Sequence, residues 1–199
     1  LYTSDYVVAL AGIPNVGKST IFNALTGMHQ HTGNWPGKTV ANATGDIIIK
    51  NKTLSLVDIP GTYSIMSNSE EVEIARDYIC FGNPDVTVVV VDATCLERNL
   101  NLVYQIMEIT NNIIVCVNLL DEAKKKKIRI NLKKLSDLLG VPVVGTSARN
   151  KKNLDELKEV IYTICETHKE LTPNSITYSD IIEKEISHIE DIIKSDKYK

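Results

Sequence analysis

The chain has 199 residues, of which 43% are hydrophobic and 24% charged, and its net charge is −3 at pH 7. This length and composition suit one domain with a substantial core, and the acidic balance gives no electrostatic basis for nucleic-acid binding. No apolar run approaches the ~20 residues of a membrane span, and no signal peptide precedes the first strand. We therefore expect a soluble, cytoplasmic chain whose four cysteines are thiols of a reducing cytosol.

The first predicted strand leads directly into a phosphate-binding loop. Residues 12–19 read Gly-Ile-Pro-Asn-Val-Gly-Lys-Ser and match the pattern G-x-x-x-x-G-K-[ST]. They follow the apolar run 6–11 and precede a helix-compatible stretch at 18–27. A strand, this loop and a helix in that order predict a nucleotide site.

Each motif residue of this loop has a chemical role. Gly12 and Gly17 let the backbone curl so that its N–H groups point at phosphate oxygens. Lys18 brings a positive charge to the outer phosphates, and the Ser19 hydroxyl is a ligand for Mg²⁺.

A polar loop follows the first helix. Residues 29–39 contain two glycines and a proline, a composition that suits a segment ordered by nucleotide binding. Thr39 is the preferred contact for Mg²⁺ and the γ-phosphate, and Thr32 is the alternative.

Two further strands follow this loop. Residues 40–50 and 52–58 adjoin through the polar turn Lys50-Asn51-Lys52, which predicts an antiparallel hairpin. The second segment ends in Asp58-Ile59-Pro60-Gly61, a D-x-x-G pattern. Asp58 at a strand end can hold Mg²⁺, usually through water, and the Gly61 N–H can bond the γ-phosphate.

The residues predicted to bind the base lie further along the chain. Asn118-Leu119-Leu120-Asp121 follows the apolar run 113–117 and matches N-x-x-D. The Asp121 carboxylate can accept two hydrogen bonds from guanine that adenine does not offer, which predicts GTP rather than ATP. Leu119 stands where a lysine is usual, so we expect weak nucleotide binding and fast GDP release.

A small-residue loop completes the predicted site. Thr146-Ser147-Ala148 follows the run 141–145, and the Ala148 N–H is expected to contact the guanine oxygen. The catalytic candidates are Lys18, Thr39 and Gly61. The predicted GTP-binding residues are Gly12, Asn15, Val16, Gly17, Lys18, Ser19, Thr20, Thr39, Gly61, Asn118, Asp121, Ser147 and Ala148, and the Mg²⁺ ligands are Ser19, Thr39 and Asp58.

Alternating strands and helices predict an α/β fold of the P-loop NTPase class. The expected sheet has six mostly parallel strands with one antiparallel edge strand, followed by a C-terminal helical appendage. Strand-like runs occur at 6–11, 46–50, 53–58, 86–91, 113–117 and 141–145, and helix-like segments at 18–27, 70–80, 98–109, 131–139 and 153–168.

The last part of the chain has an apolar helical stripe. Ile182, Ile186, Ile189 and Ile193 recur at helical spacing, and such a stripe must pack on something. Because little sequence remains to cover it, we expect that the chain is cut from a longer protein.

Together these motifs resemble the N-terminal, Ras-like G domain of the FeoB ferrous iron transporter family. The specific part is Gly33-Asn34-Trp35-Pro36-Gly37-Lys38-Thr39-Val40, since many GTPases share the other motifs. The resemblance covers about residues 1–170, the expected GTP-binding domain. Residues 171–199 look like the start of that family's helical, GDI-like domain.

The resemblance implies a GTPase that regulates Fe²⁺ uptake through a transmembrane domain of the same protein, at the cytoplasmic face of the cell membrane. Association between G domains is a further expectation, whereas no nucleic-acid partner is expected. We identify no Fe²⁺ site in the chain, because it has no suitable cluster of Cys, His and carboxylate side chains.

The resemblance also implies K⁺ beside the phosphates. Asn15 looks like a K⁺ ligand, joined by backbone carbonyls near Gly33 and Trp35, and the alternative is a loop-stabilising amide. Such an ion supplies the charge of an arginine finger, for which Arg76 and Arg98 are weaker candidates.

Two rival functions and one unassigned segment remain. Thr62 stands where Ras-like GTPases carry a glutamine, so hydrolysis is expected to be slow and a pure nucleotide-binding module stays open. A soluble, K⁺-dependent ribosome- or RNA-associated GTPase is the other rival. Lys124–Lys127 is most simply a solvated surface, and contact with an anionic membrane face is the alternative.

Overall fold

The computed structural model describes residues 4–27, 30–167, 171–174 and 177–194. Its strands are β1 Tyr6–Gly12, β2 Gln30–Asn34, β3 Ala41–Ile49, β4 Lys52–Asp58, β5 Val86–Asp92, β6 Ile113–Asn118 and β7 Val143–Gly145. Its helices are α1 Lys18–Thr26, α2 Glu70–Phe81, α3 Leu96–Met107, α4 Leu120–Lys125, α5 Leu132–Leu139, α6 Leu154–Thr167 and α7 Asp180–Lys194.

The strands form one sheet in the order β2-β3-β4-β1-β5-β6-β7. Strands β4, β1, β5, β6 and β7 are parallel to one another, and β3 pairs with β4 in the antiparallel sense. The predicted α/β class, the mostly parallel sheet and the hairpin are therefore confirmed.

The sheet has seven strands rather than the predicted six. The additional strand, β2, pairs antiparallel with β3, so β3 is not the edge of the sheet. Residues 31–34 are all exposed, and the segment has no buried apolar face that sequence periodicity could detect. Backbone pairing with β3 attaches β2 to the sheet.

The core lies between the sheet and the helices on its two faces. Every residue of β6, and every residue of β5 except Asp92, is buried, as expected for parallel strands covered on both sides. Helices α1 and α6 contact each other and the sheet, while α3 lies along β5 and β6 and α5 along β7.

Helix α4 was not predicted. It has only six residues, of which Ala123 alone is buried, so it presents too little apolar periodicity for a sequence argument. Helix α5 agrees with its prediction, because Asn131 caps it through a 2.9 Å hydrogen bond to the Lys134 N–H and Gly140 ends it in the left-handed region.

The C-terminal part forms the predicted helix α7. Its apolar stripe is solvent-exposed, with exposed fractions from 37% to 66% for Ile182, Ile186, Ile189 and Ile193. Tyr178, just before α7, donates its hydroxyl hydrogen to Glu108 after α3. No helix within the described ranges is long and apolar enough to cross a membrane.

Candidate nucleotide site

The site residues lie at the carboxyl ends of the parallel strands. The phosphate loop follows β1, Asp58 ends β4, Asp92 ends β5 and Asn118 ends β6. In open α/β sheets this edge is where ligands bind, because loops from neighbouring strands meet there. The sheet therefore brings together motifs that are more than 100 residues apart in the chain.

Packing restricts two glycines of the phosphate loop. A Cβ atom on Gly12 would lie 2.7 Å from the Val90 carbonyl oxygen, so a side chain cannot fit there. Gly17 has φ +85°, and a Cβ atom on it would collide with the Asn118 amide. The loop can curl this closely over β5 and β6 only with glycine at both positions.

The loop encloses an open cavity of about 480 Å³. Asn15 has φ 68°, a left-handed conformation that Asn tolerates better than most residues. Helix α1 begins at Lys18 without a side-chain cap, so its first N–H groups are available to an anion. The cavity is lined by Ile13, Pro14, Asn15, Gly17, Lys18, Ser19, Thr20 and Gly61.

Lys18 and Asp58 form an ion pair in this structure. Both side chains are largely shielded from solvent, with exposed fractions of 11% and 17%. The lysine predicted to hold phosphate thus binds the carboxylate predicted to support Mg²⁺. Binding of a phosphate group to Lys18 requires that this pair opens or is shared.

Asn118 connects the phosphate loop to the base-recognition loop. Its Nδ2 donates to the Val16 carbonyl oxygen at 3.0 Å. Its Oδ1 accepts from Thr146 Oγ1 at 3.1 Å and from the Ala148 N–H at 3.0 Å. The side chain is buried, so it fixes the two loops relative to each other.

The predicted base contacts lie around Asp121. Its N–H donates to Ser147 Oγ at 3.2 Å, and its Oδ2 accepts from Asn150 Nδ2 at 2.9 Å. Partial burial raises the pKa of the Asp121 carboxyl, but hydrogen bonds from Ser147 and nearby N–H groups, with the charge of Lys125, bring the pKa below its usual value. The carboxylate is therefore ionised and able to accept hydrogen bonds at neutral pH.

The Ala148 N–H has a different partner from the one predicted. It donates to Asn118 in this structure rather than being free for a guanine oxygen. Ala148 is buried and begins a 3₁₀ turn, Ala148–Asn150. Direct contact of this N–H with guanine requires a small shift of the loop, and the contact remains a prediction.

The segment after β2 packs against one face of α2. Thr39 Oγ1 donates to Glu70 Oε2 at 3.1 Å, and Lys38 Nζ lies 3.4 Å from Glu73 Oε2. The Trp35 ring meets the Tyr78 ring edge-on, with centroids 5.2 Å apart. We call these three contacts the α2 latch. They place the Thr39 hydroxyl against α2, and Thr39 does not line the phosphate-loop cavity.

The predicted K⁺ ligands are only partly assembled. Asn15 lines the cavity, whereas Gly33 pairs with Asn42 within the sheet. The Trp35 carbonyl oxygen accepts the Lys38 N–H at 3.0 Å in a tight turn. The alternative sensor, Thr32, pairs with Ala43 and is exposed.

Thr62 and the two arginine-finger candidates have defined partners in the structure. Thr62 is buried, and its N–H donates to the Gly12 carbonyl oxygen at 3.2 Å, so its side chain is unsuited to hold an attacking water. Arg98 lies over the Tyr63 ring at 5.2 Å, and Arg76 Nε is 3.6 Å from Asp77. Both arginines lie on helices, and neither lines the phosphate-loop cavity.

Sequence reasoning missed two contacts at the site. Glu70 follows the N-cap Ser69, whose Oγ accepts the Val72 N–H at 3.4 Å, and an acidic residue is common in the first turn of any helix. Asn150 is an exposed loop residue with no motif. The roles of Glu70 and Asn150 can be recognised only in the structure, where the fold brings Thr39 next to Glu70 and Asp121 next to Asn150.

The residues present fit a nucleotide with Mg²⁺. Lys18 already binds an anionic oxygen, the curled loop is shaped by two obligatory glycines, and Ser19 is exposed in the cavity. Hydroxyl and carboxylate oxygens are the ligand types that Mg²⁺ prefers. The site can therefore hold phosphate groups at one end and a hydrogen-bonding base at the other.

Comparison with known proteins identifies the relatives of this chain. The family model for ferrous iron transport protein B matches residues 6–161. The Fe(2+) transporter FeoB of Helicobacter pylori strain J99 is 38% identical over 171 residues, which are 86% of this chain and 27% of that protein. The chain thus spans about a quarter of the length of this relative.

Solved structures agree in fold. The cytosolic domain of the T. maritima FeoB iron transporter in its apo form is 40% identical, with a TM-score of 0.91 over 96% of this chain and 75% of that one. The same domain in its GMPPNP form has a TM-score of 0.90 at 38% identity, and the match covers 96% of this chain and 75% of that one.

Proposed function

The chain belongs to the FeoB family of ferrous iron transport proteins, and on that basis we propose that it binds and hydrolyses GTP. The observation that carries this proposal is the Asn118 side chain, which ties the phosphate loop to the loop that carries Ala148. This buried side chain fixes the positions of the phosphate-binding and base-binding loops relative to each other. The GMPPNP form of the related T. maritima domain supports the same ligand class.

Each predicted residue then has a role in binding the substrate. The phosphate loop, from Gly12 to Thr20, surrounds the phosphates, with Lys18 as the main positive charge. Asp121 accepts the guanine N1–H and amino hydrogens, while Ser147 Oγ accepts the Asp121 N–H and Asn150 donates to the carboxylate. Mg²⁺ held by Ser19, Thr39 and Asp58 supplies positive charge at the phosphate oxygens.

Hydrolysis in this proposal depends on backbone groups and on the segment after β2. With Thr62 buried, water is positioned by backbone or loop groups, the Gly61 N–H bonds the γ-phosphate, and intrinsic turnover is slow. Asn15 would hold K⁺ together with the Gly33 and Trp35 carbonyls once the segment after β2 moves to the cavity, and the ion would add positive charge near the transferred phosphate. Thr39 leaves the α2 latch to meet the γ-phosphate, so this movement separates the triphosphate and diphosphate states.

In the whole protein we place this domain at the cytoplasmic face of the membrane. Residues 1–170 form the nucleotide switch, and residues 171–199 begin a helical domain that leads toward a transmembrane domain for Fe²⁺. The name of the Helicobacter relative and its greater length support this arrangement. G domains of neighbouring copies associate in the assembled transporter.

The base assignment is tested by Asp121→Asn. GDP affinity should fall on the order of 100-fold, as expected from the loss of paired hydrogen bonds worth ~2–3 kcal/mol, and xanthosine diphosphate should become the better ligand. Labelled nucleotide binding at equilibrium measures both affinities. An unchanged preference for GDP in the variant would contradict the proposed position of the base.

The potassium assignment has a separate test. GTP turnover should rise when K⁺ replaces Na⁺, and Asn15→Ala should remove that rise while GDP binding remains. Steady-state phosphate release in matched chloride salts measures it. Equal rates in the two salts would exclude the K⁺ role but leave GTP binding intact.

A further inference from the structure

The chain is weakly acidic overall but contains one strongly basic segment. Residues 124–152 contain ten of the 22 lysines and arginines but only one of the 25 acidic residues, Asp137. This segment therefore has a formal charge of +9, and the rest of the chain has −12. We call its basic side chains the basic surface: Lys124, Lys125, Lys126, Lys127, Arg129, Lys133, Lys134, Arg149, Lys151 and Lys152.

The fold brings these side chains to one region. A Cβ atom on Gly145, at the end of β7, would touch both Leu120 of α4 and Leu132 of α5, so the starts of these helices converge there. The 3₁₀ turn joins them through Asn150, which donates to Asp121 of α4. The hydrogen bond and charge of Glu122 raise the pKa of Lys125, and the charge of Arg149 is close enough to oppose this shift.

Most of the basic surface has no ion-pair partner among the described residues. All ten of its side chains are exposed, and Lys125 is the one of the ten for which the described residues show an ion pair, with Glu122 at 2.8 Å. Like charges held close together repel one another, so this arrangement favours an anionic partner.

The composition of the region distinguishes between anionic partners. Residues 124–152 contain no Phe, Tyr, Trp or His, so the segment offers no aromatic ring on which the bases of single-stranded nucleic acid stack. Instead, exposed apolar side chains lie within the segment: Ile128 is 38% exposed and Leu138 is 63% exposed. Lysines interspersed with exposed aliphatic side chains are typical of contact with a lipid surface.

We propose that the basic surface docks on the anionic phospholipid headgroups of a membrane, with Ile128 and Leu138 reaching the apolar boundary beneath them. Docking is reversible and electrostatic, so it weakens as salt screens the lysines. Because Arg149 and Lys151 flank Asn150, the docked face includes the loop that contacts the base-recognition carboxylate. This contact does not depend on the assignment of GTP as the substrate.

Vesicle sedimentation of the chain tests the proposal. At low salt the protein should pellet with vesicles of phosphatidylcholine mixed with phosphatidylglycerol, and it should stay in the supernatant with phosphatidylcholine alone. High salt should release it. Failure to bind the mixed vesicles at low salt would overturn the proposal, whether or not GDP binds.

Two triple variants with the same change in net charge test whether vesicle binding depends on the basic surface or only on the net charge of the protein. Lys124→Glu, Lys126→Glu and Lys127→Glu together should lower the vesicle-bound fraction about tenfold or more, since each lysine near the surface adds to binding. The control, Lys50→Glu, Lys52→Glu and Lys184→Glu, changes the net charge equally outside the basic surface, at the exposed Lys50 and Lys184 and the half-buried Lys52. It should bind vesicles within about twofold of the wild type, and equal loss in both variants would overturn the proposal.

A competition experiment addresses nucleic acid. Single-stranded polyuridylate should not displace the protein from the vesicles when its phosphate concentration equals that of the accessible anionic lipid. Efficient displacement, together with salt-dependent binding of the polymer, would assign the basic surface to nucleic acid instead. Retained GDP binding and an unchanged circular dichroism spectrum show that each variant is folded.

Discussion

Lys18 of the phosphate loop forms an ion pair with Asp58 at the end of β4, and both side chains are largely shielded from solvent. The carboxylate occupies the position of an anionic partner of the lysine and competes with phosphate for it. In the Mg²⁺-bound state that we propose, the same carboxylate would support the ion instead, so its effect on nucleotide affinity should depend on whether Mg²⁺ is present.

Asp58→Asn is therefore expected to change nucleotide affinity in opposite directions with and without Mg²⁺. In EDTA the variant should bind GDP roughly tenfold more tightly than the wild type, because a charged hydrogen bond worth about 1.5 kcal/mol no longer competes for Lys18. With Mg²⁺ present it should bind GMPPNP more weakly. Titrations with fluorescent nucleotide measure both, and Lys18→Ala, the control, should lose affinity in both buffers.

Glu70→Ala tests the α2 latch. Removing the acceptor of the Thr39 hydroxyl should raise affinity for GMPPNP relative to GDP about two- to fivefold, because a hydrogen bond worth ~0.5–1 kcal/mol no longer retains Thr39. Trp35 is the only tryptophan and belongs to the latch, so intrinsic fluorescence reports its opening directly. Glu71→Ala, on the exposed neighbouring residue, should leave affinities and fluorescence unchanged; an equal effect there would remove the latch interpretation.

Asn150→Ala should weaken recognition of the guanine amino group. Asn150 holds Asp121 Oδ2 at 2.9 Å, and losing one hydrogen bond of ~1 kcal/mol should lower GDP affinity about fivefold. Affinity for inosine diphosphate, which lacks the amino group, should fall less. The exposed Asn101→Ala on α3 is the control. Tighter GDP binding by Asn150→Ala would mean that Asn150 competes with guanine instead of orienting Asp121.

Gly17→Ala should abolish nucleotide binding and lower thermal stability. A Cβ atom there collides with the Asn118 amide, and φ is +85°, so the Asn118 bond to the Val16 carbonyl is lost. Gly27→Ala is the matched control, since Gly27 has φ +60° but nothing within 4 Å of the added Cβ. The control adds backbone strain without a steric collision, so it should cost only about 1–3 kcal/mol. Calorimetry and GDP titration compare the two, and equal melting temperatures would contradict the packing argument.

Much of the fold followed from local patterns. The apolar runs of β5 and β6 and the helical pattern of α5 are properties of neighbouring residues, and the structure has these elements where the sequence predicted them. The motif residues Lys18, Asp58, Asn118 and Asp121 were also recognisable, because phosphate and base chemistry restricts residue type and spacing.

Tertiary packing decided the remaining features. Polar β2 joins the sheet through backbone hydrogen bonds, Thr39 is held by Glu70 at 3.1 Å, and Lys18 is paired with Asp58 across 40 residues. Periodicity and motif spacing describe residues that are close in the chain, whereas these contacts depend on which strand ends and helix faces meet. The sequence was therefore sufficient to predict the chemistry of the site. The partners that hold its side chains could be identified only from the tertiary structure, because the assembled sheet brings them together.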